Sequence, residues 1–459
     1  MGCQASIGGG GVITDAGGMD RGTEPDRGQP VDRPALPDLN GPAGRDGDVP
    51  EIQPAAVIDS STINGKMLFG YQGWFAAPGD GSTVNDWHHW LSATGTTPRF
   101  VVDMWPDFTE LDADEKFAPP GVTLPDGNPA PVYSAFKAKT VSRHFSWMRD
   151  YDLDGVLLQR FLSEVQDPRY FAFRNQVTRN VQAAAETFGR VFAIEYDLSL
   201  PAAMQATIVD KMKSDWMYMV DTLKVTASPR YLQEGGKPVV AIWGFAFTDR
   251  PTTPQQAQEL ITWFKTGAPP AYRATVIGGV PTGWRTQTGS IQTDPAWAAV
   301  FRSLDIVSPW TVGRYSNEAG ADRFTSDPLA GDIAETGKLG IGYLPVVFPG
   351  FSWHNLMGTA PSNQIPRLGG RFYWRQAMNV IGAGAAMFKT AMFDEIDEGT
   401  AMFKLAPTAA AAPAQAPFVT LDKDGESLPS DWYLRLAGAA TETLRGQRAP
   451  TTTLPFAPP

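Results

Sequence analysis

Short apolar runs recur along the chain and are separated by longer stretches of mixed polarity. Most of the runs are rich in β-branched and aromatic residues, which are enriched in β-strands. Runs that are apolar at successive positions are typical of strands buried on both faces of a parallel sheet. The pattern predicts eight strands, at 66–71, 155–161, 191–197, 238–245, 274–280, 304–310, 342–349 and 385–393.

Helical spacing is visible between most of these runs. In residues 137–152, Val141, Phe145 and Met148 recur at intervals of three or four and therefore share one helix face. Further helical stretches lie at 170–189, 201–223 and 253–267. Eight strands that alternate with helices predict an α/β fold, and specifically a (β/α)8 barrel, also called a TIM barrel.

A doubly wound open sheet is the alternative fold. It would favour a glycine-rich phosphate loop after the first strand, but the segment GYQGWF (70–75) lacks the G-x-G-x-x-G spacing. The barrel has a long insertion after its first strand, residues 72–136, which contains a ninth apolar run at 99–106. A connection of this length is uncommon unless it is functional, so we expect it to contribute to a site.

Charge and composition exclude several classes of function. The formal net charge is −11, whereas nucleic acids and anionic membrane surfaces are bound by basic patches. Cys3 is the only cysteine, which excludes an intrachain disulfide and a cysteine-based metal site. The chain has four histidines, too few to favour a multi-histidine metal centre. We expect no cofactor, no bound metal and no nucleic-acid partner.

Residues 1–56 are rich in Gly, Pro and Asp, a composition typical of a disordered tether. Cys3 near its start resembles the lipid-carrying cysteine of a mature bacterial lipoprotein, with Met1–Gly2 in place of a removed signal peptide. This interpretation predicts an exported protein, periplasmic or at the cell surface, that contacts the membrane only through a lipid on Cys3. The alternative is an ordinary exposed thiol. Residues 57–448 are then the barrel domain and 449–459 a tail.

Aromatic, amide and charged residues stand where the predicted strands end, and active sites of (β/α)8 barrels lie at those ends. Aromatic faces stack on sugar rings, and planar polar groups pair with hydroxyls, so the combination predicts a carbohydrate site. The segment NDWHHW (85–90) in the insertion contains two histidines beside two tryptophans. We expect it to form a loop that contacts a sugar or packs against the barrel, and a metal site is the alternative. The residues expected to contact a substrate are Tyr71, Gln72, Trp74, Gln159, Arg160, Glu195, Asp197, Trp310, Arg314, Trp353, His354 and Asn355.

The last predicted strand ends in DEIDE (394–398), which places four acids in five positions. Such crowding raises the pKa of at least one carboxyl, and glycoside cleavage needs one protonated carboxyl beside a second carboxylate. On a helical turn, Glu395 and Glu398 face one side and form a candidate catalytic pair, with Asp394 and Asp397 as further substrate contacts. A solvated acidic loop and a Ca²⁺ site remain as alternatives.

Two of these segments resemble a known family. MFDEIDEGT (392–400) resembles the E-W-H-E-G-T segment of glycoside hydrolase family 99, the endo-α-mannosidases and endo-α-mannanases, and FGYQGWF with WHHW resembles its first strand and His-Trp element. Residues 64–447 more closely resemble bacterial and fungal family 71/99-like hydrolases, often called xylosidase/arabinosidase. The matching segments are FGYQGWF, DGVLLQRF, RNQV, SPWTVGRY, YLPVVFPGFSWHN, RLGGRFYWRQ, MFDEIDEGTAMFK and LPSDWYLRLAG.

In family 99, the first Glu of the motif deprotonates the sugar 2-hydroxyl to form a 1,2-anhydro sugar, and the second acts as acid and then base with retention. The resemblance implies these roles for Glu395 and Glu398, and a glycoside hydrolase that cleaves an oligosaccharide or polysaccharide at an α-linkage. The motif departs from the family at Ile396 and Asp397, which replace Trp and His and would alter the sugar subsites. The alternative function is a non-catalytic carbohydrate-binding surface lipoprotein on a TIM barrel.

Overall fold

Parallel strands form a barrel in the computed structural model, which describes residues 57–92 and 99–458. The predicted tether and the predicted lipid site at Cys3 lie outside the described residues. The strands are β1 (Met67–Tyr71), β2 (Leu91–Ser92), β3 (Arg99–Phe100), β4 (Gly155–Phe161), β5 (Val191–Asp197), β6 (Gln233–Glu234), β7 (Lys237–Trp243), β8 (Thr275–Pro281), β9 (Ile306–Trp310), β10 (Gly342–Tyr343), β11 (Val346–Val347) and β12 (Phe388–Thr390).

Eight strand positions form the barrel wall, in the order β1, β4, β5, β7, β8, β9, β10 with β11, and β12. All neighbouring pairs in this wall are parallel. The seventh position is interrupted between β10 and β11 at Leu344 and Pro345, and Pro345 has no N–H to donate. Because β10 pairs with β9 and β11 pairs with β12, the two pieces close the sheet. The predicted (β/α)8 barrel is confirmed.

The strands form where the apolar runs predict them. Every residue of β1, β4, β5, β8 and β9 is buried, as expected for strands covered on both faces. β4 and β5 span the predicted bounds, 155–161 and 191–197. The eighth strand is shorter than predicted, since β12 ends at Thr390 and the chain then leaves the sheet to form the acidic segment.

Helices cover the outside of the barrel. The predicted helical stretches correspond to the first four helices, although the third begins late because Ala202–Thr207 forms a 3-10 helix. No helix in the described part of the chain is both long and apolar enough to cross a bilayer. The helices are α1 (Ala138–Asp150), α2 (Pro168–Phe188), α3 (Ile208–Asp221), α4 (Pro254–Thr262), α5 (Trp297–Arg302), α6 (Glu318–Phe324), α7 (Ala330–Leu339), α8 (His354–Met357), α9 (Arg371–Gly382) and α10 (Trp432–Leu444).

The insertion between β1 and α1 packs against the loop that follows β12. Its only paired strands among the described residues are the antiparallel β2 and β3, so most of the apolar run 99–106 is irregular. The backbone N–H groups of Asp103 and Met104 both donate to the carbonyl oxygen of Ile396, at 2.8 and 3.0 Å. These bonds fix the insertion to the centre of the acidic segment.

Candidate active site

A pocket opens at the carboxyl ends of the barrel strands. It measures about 320 Å³ with its mouth included. The strand-end rule predicts this location, and the pocket combines carboxylate, amide and aromatic groups. Its lining residues are Gln72, Gln159, Asp197, Trp243, Trp310, Met392, Glu395 and Glu398.

The acidic segment 394–398 is buried, which corrects the alternative of a solvated loop. Its four carboxylate side chains are at most 3% exposed. The turn is held by backbone bonds from Thr400 N to Glu395 O (3.1 Å) and from Ser352 N to Glu398 O (2.9 Å). Gly399 has φ 65°, and a Cβ there would lie 2.8 Å from the Ser352 nitrogen. Only glycine fits this close approach.

Asp394 is turned toward the backbone at the end of β1. Its two oxygens accept from the N–H groups of Gln72 (2.7 Å) and Gly73 (2.9 Å). Burial raises the pKa of Asp394 to about 6, against the lowering effect of these two bonds. Asp394 therefore positions Gln72 and does not line the pocket, which corrects its predicted role as a substrate contact.

Glu395 and Glu398 both line the pocket. Glu395 accepts from Gln72 Nε2 (2.9 Å) and from Thr400 Oγ1 (3.1 Å). Burial, followed by the charges of Glu398 and Asp397, raises the pKa of Glu395 well above its ordinary value. Of the neighbouring charges, that of Glu398 raises this pKa the most.

Asp397 points away from the pocket toward the insertion. Its Oδ2 lies 3.2 Å from His89 Nδ1, and the His89 ring stacks on Trp74 with 3.7 Å between ring centroids. Burial, with the charge of Glu398, raises the pKa of Asp397, while burial and His88 lower the pKa of His89. Burial thus disfavours the charged form of each group, and the two side chains share a hydrogen bond. The site uses Trp74 and Asp397 as supporting groups behind the pocket.

A second buried network lies below the pocket. Lys389 Nζ donates to both oxygens of Glu195, at 2.7 and 2.6 Å, and Gln159 Nε2 donates to Glu195 Oε2 at 2.6 Å. Glu195 is thus satisfied by Lys389 and Gln159, and of these three only Gln159 lines the pocket. Asp197 lines it too and accepts from Ser199 N at 2.5 Å, while burial raises its pKa.

Two tryptophans form an aromatic wall. Trp310 was predicted, and its ring centroid lies 5.4 Å from that of Trp243 in an edge-to-face arrangement. Sequence reasoning missed Trp243 and Met392 as lining residues. Trp243 is the last residue of β7, so the strand-end rule was a sufficient signal for it. Met392 carried no such signal, because an apolar residue within an apolar run is expected to lie in the hydrophobic core.

Three of the predicted substrate contacts lie elsewhere in the fold. Tyr71 is in the core, where its hydroxyl lies 2.8 Å from His144 Nδ1 on α1. Arg160 pairs with Asp215 on α3 through bonds of 2.9 and 2.6 Å. Successive strand residues face opposite sides, so Gln159 points into the barrel and Arg160 points out. The structure thus places Tyr71 against α1 and Arg160 against α3, and neither lines the pocket.

Asn355 is the third predicted substrate contact that lies elsewhere in the fold. Its side-chain amide donates to the backbone oxygens of Val102 (2.8 Å) and Pro417 (3.0 Å), and its N–H donates to Asp103 Oδ1 (2.6 Å). His354 N also donates to Asp103, at 2.8 Å. These bonds fix the loop after the seventh strand to the insertion, so Asn355 is a structural anchor.

The remaining predicted contacts, His354, Arg314 and Trp353, are not among the lining residues of the pocket. His354 Nδ1 lies 2.5 Å from Ala360 O, and Arg314 Nη1 donates to Ser290 Oγ at 3.3 Å. Trp353 packs against Phe351, with 5.1 Å between ring centroids. A contact between these side chains and a long substrate stays a prediction.

Metal-ligating groups converge at two places in the described residues, and the acidic segment 394–398 is neither of them. The groups are His88, His89 and Glu164, and Asp112, Asp114 and Glu115, each with ligand atoms within 4.8 Å. The four carboxylates of 394–398 have divergent partners, which does not support the Ca²⁺ alternative. Glu164 is already paired with the guanidinium of Arg174, whose charge opposes a metal ion there.

Searches of protein-family models and of curated proteins gave no match. Among solved structures, the chain is similar to the family 99 endo-α-mannosidase of Bacteroides thetaiotaomicron, with a TM-score of 0.61, 14% identity, and coverage of 84% of this chain and 99% of that one. The same enzyme in complex with bis-tris propane gives a TM-score of 0.59 and 14% identity, with coverage of 85% of this chain and 100% of that one. At this identity the likeness establishes the barrel fold. The family 71/99-like resemblance stays a prediction.

Proposed function

We propose that this protein is a glycoside hydrolase that cleaves a glycan or polysaccharide at an α-linkage, with Glu398 and Glu395 as its catalytic pair. One observation carries the proposal: Glu395 and Glu398 line one pocket at the carboxyl end of the barrel, beside the aromatic faces of Trp243 and Trp310. Two carboxyls with an aromatic wall are the groups that glycoside cleavage requires. The family 99 resemblance of the segment around them supports the same chemistry.

In the first step, Glu395 accepts the proton of the sugar 2-hydroxyl, and the freed oxygen attacks C1. The C1–O2 bond forms while the glycosidic C1–O bond breaks, and Glu398 gives its proton to the departing oxygen. In the second step, Glu398 takes a proton from water, whose oxygen attacks C1. The C1–O2 bond then breaks, and O2 recovers its proton from Glu395. Two inversions at C1 give net retention.

The mechanism needs one proton shared by the two carboxyls. The raised pKa of Glu395, beside the charge of Glu398, supports a pair that holds one proton more tightly than an isolated carboxyl does. A bound sugar hydroxyl donates a hydrogen bond to Glu395, which favours its charged form. The proton then resides on Glu398, where the leaving group needs it.

The test is glycan release from α-mannans, α-glucans and arabinoxylans by the wild-type protein, with the anomeric configuration of the first product read by NMR. We expect release from an α-linked substrate, with retained configuration. Inverted product would contradict the anhydro-sugar route while leaving the hydrolase proposal intact. No release from any polymer, together with a thermal shift on one of them, would favour the non-catalytic carbohydrate-binding protein.

Export and membrane attachment are a separate part of the proposal. They rest on Cys3 and on the composition of residues 1–56. Fatty-acid labelling of the exported protein tests the lipid on Cys3, and an unlabelled protein would favour the ordinary thiol.

A further inference from the structure

Two glutamines line the pocket, and their buried carbonyl oxygens have no donor among the described residues. We propose that Gln72 and Gln159 select an uncharged sugar residue by accepting hydrogen bonds from two of its hydroxyls, and that the pocket rejects uronic acids. This inference rests on the proposed function in one respect, because it takes the pocket as the sugar site. It goes further by naming the chemical class of the sugar.

The orientation of the Gln159 amide is fixed by its neighbour. Glu195 accepts the Gln159 N–H at 2.6 Å and is itself held by two bonds from Lys389. A carboxylate paired with an ammonium group only accepts hydrogen bonds, so the amide must turn its NH₂ toward Glu195. Its oxygen then points the other way. This oxygen is buried, and among the described residues no donor reaches it.

Gln72 is held in the same manner. Its Nε2 donates to Glu395 Oε1 at 2.9 Å, a bond that a carboxylate oxygen or the carbonyl oxygen of the neutral acid accepts equally. Its backbone N–H donates to Asp394 at 2.7 Å, and its backbone oxygen accepts from Arg174 at 2.8 Å. The oxygen of the Gln72 side chain is likewise buried and has no donor in the described part of the chain. A buried unpaired acceptor is costly, and a ligand hydroxyl removes that cost.

The two amides occupy neighbouring positions. β1 and β4 are adjacent parallel strands in which Tyr71 lies opposite Leu158. The next position of this register places Gln72 beside Gln159, and backbones of neighbouring strands are about 4.8 Å apart. One sugar ring can therefore donate to both carbonyls with two of its hydroxyls.

The charge of the pocket opposes an anionic sugar. Three carboxyl groups line it, those of Asp197, Glu395 and Glu398, and its lining contains no Lys, Arg or His. Two cations lie near the pocket and both are paired, Lys389 with Glu195 and Arg250 with Asp249. Carboxylates of ligands are bound by guanidinium or ammonium groups, which this lining lacks. The indole N–H of Trp243 has no acceptor among the described residues and is the donor that the lining offers to a sugar oxygen.

Calorimetry with the Glu398→Gln protein tests the proposal without interference from turnover. The probes are manno-, gluco- and xylo-oligosaccharides, compared with oligogalacturonides of the same length. We expect at least one neutral series to bind and the oligogalacturonides to bind more than about tenfold more weakly. Equal or tighter binding of the oligogalacturonides would overturn the inference.

The two amides are tested with Gln72→Met and Gln159→Met, which keep the side-chain size and remove the acceptor. Each change is expected to weaken binding of the neutral oligosaccharide about tenfold. The matched control is Gln255→Met, at an exposed position of α4, which should bind like the parent. A folded Gln159→Met protein, verified by circular dichroism, that binds with full affinity would overturn the role of Gln159, and the same result for Gln72→Met would overturn that of Gln72.

Failure of this inference is distinguishable from failure of the proposed function. Neutral oligosaccharides that bind in the predicted manner without ever being cleaved by the wild type would refute the hydrolase and leave the selection intact. Cleavage of a polyuronate by the wild type would refute the selection and leave the hydrolase intact. Failure of every neutral series to bind, with cleavage absent, would refute both.

Discussion

At the scale of single residues, the four acids of 394–398 have four different environments. Asp394 holds the end of β1, Asp397 contacts His89, and Glu395 and Glu398 line the pocket. The crowding seen in the sequence is therefore real, but it serves two separate purposes. Two of the carboxyls support the structure around the site, and the other two are available for chemistry.

Asp397→Asn is predicted to shift the pH–activity profile toward acid. The negative charge of Asp397 contributes to the raised pKa of Glu395, so its removal lowers that pKa. The amide also keeps a hydrogen-bonding group next to His89. The profile of kcat/KM is measured for both proteins, with Asp210→Asn on the exposed surface as control. A profile that stays in place, or moves toward base, would show that Asp397 does not act on the pair.

At the scale of elements, the alternation of side chains along β4 separates site from support. Gln159 points to the pocket, and the next residue, Arg160, is 1% exposed and pairs with Asp215 on α3. The Tyr196 hydroxyl, from β5, also donates to Asp215, at 2.8 Å. This network attaches α3 to the barrel wall behind the site.

Arg160→Met is accordingly predicted to destabilise the fold by about 3 to 5 kcal/mol, because it leaves the buried Asp215 without its cation. The free energy of unfolding is measured by urea titration. Arg169→Met, which removes an exposed partner of Asp167, is the control and should change stability by less than about 1 kcal/mol. Loss of substrate affinity in Arg160→Met without loss of stability would instead restore Arg160 as a substrate contact.

Sequence patterns predicted the elements well and the contacts between distant elements poorly. The bounds of β4 and β5 follow from buried apolar runs, which report a local property. The bond between His89 and Asp397 joins residues 308 positions apart, and that between Asp103 and Asn355 joins residues 252 apart. No periodicity encodes such pairs. Asn355 therefore resembled a substrate contact in the sequence, although it anchors a loop.

At the scale of the whole molecule, the barrel buries several acids whose protonation stabilises the fold. Burial raises the pKa of Asp154 and of Asp394 to about 6, and raises those of Glu395 and Asp397 well above their ordinary values. A raised folded-state pKa means that the folded protein binds protons more tightly than the unfolded chain. The stability from this source is complete below about pH 4 and is lost as pH rises through about 6.

The protein is therefore predicted to be more stable near pH 5 than near pH 8. Each of the two acids with a pKa near 6 contributes about 1 kcal/mol to this difference. Urea unfolding across this pH range measures it, and Asp154→Asn should reduce the pH dependence. A free energy of unfolding that increases from pH 5 to pH 8 would contradict the protonated state of the buried acids.

The central claim is that Glu398 protonates the leaving oxygen in this pocket. The most direct measurement compares Glu398→Gln with wild type on the natural α-linked glycan and on the corresponding glycosyl fluoride, whose leaving group needs no proton. Glu259→Gln, an exposed change on α4, is the control. We predict a loss of roughly 10²- to 10⁴-fold on the glycan and a much smaller loss on the fluoride. Full activity of Glu398→Gln on the glycan would contradict the claim.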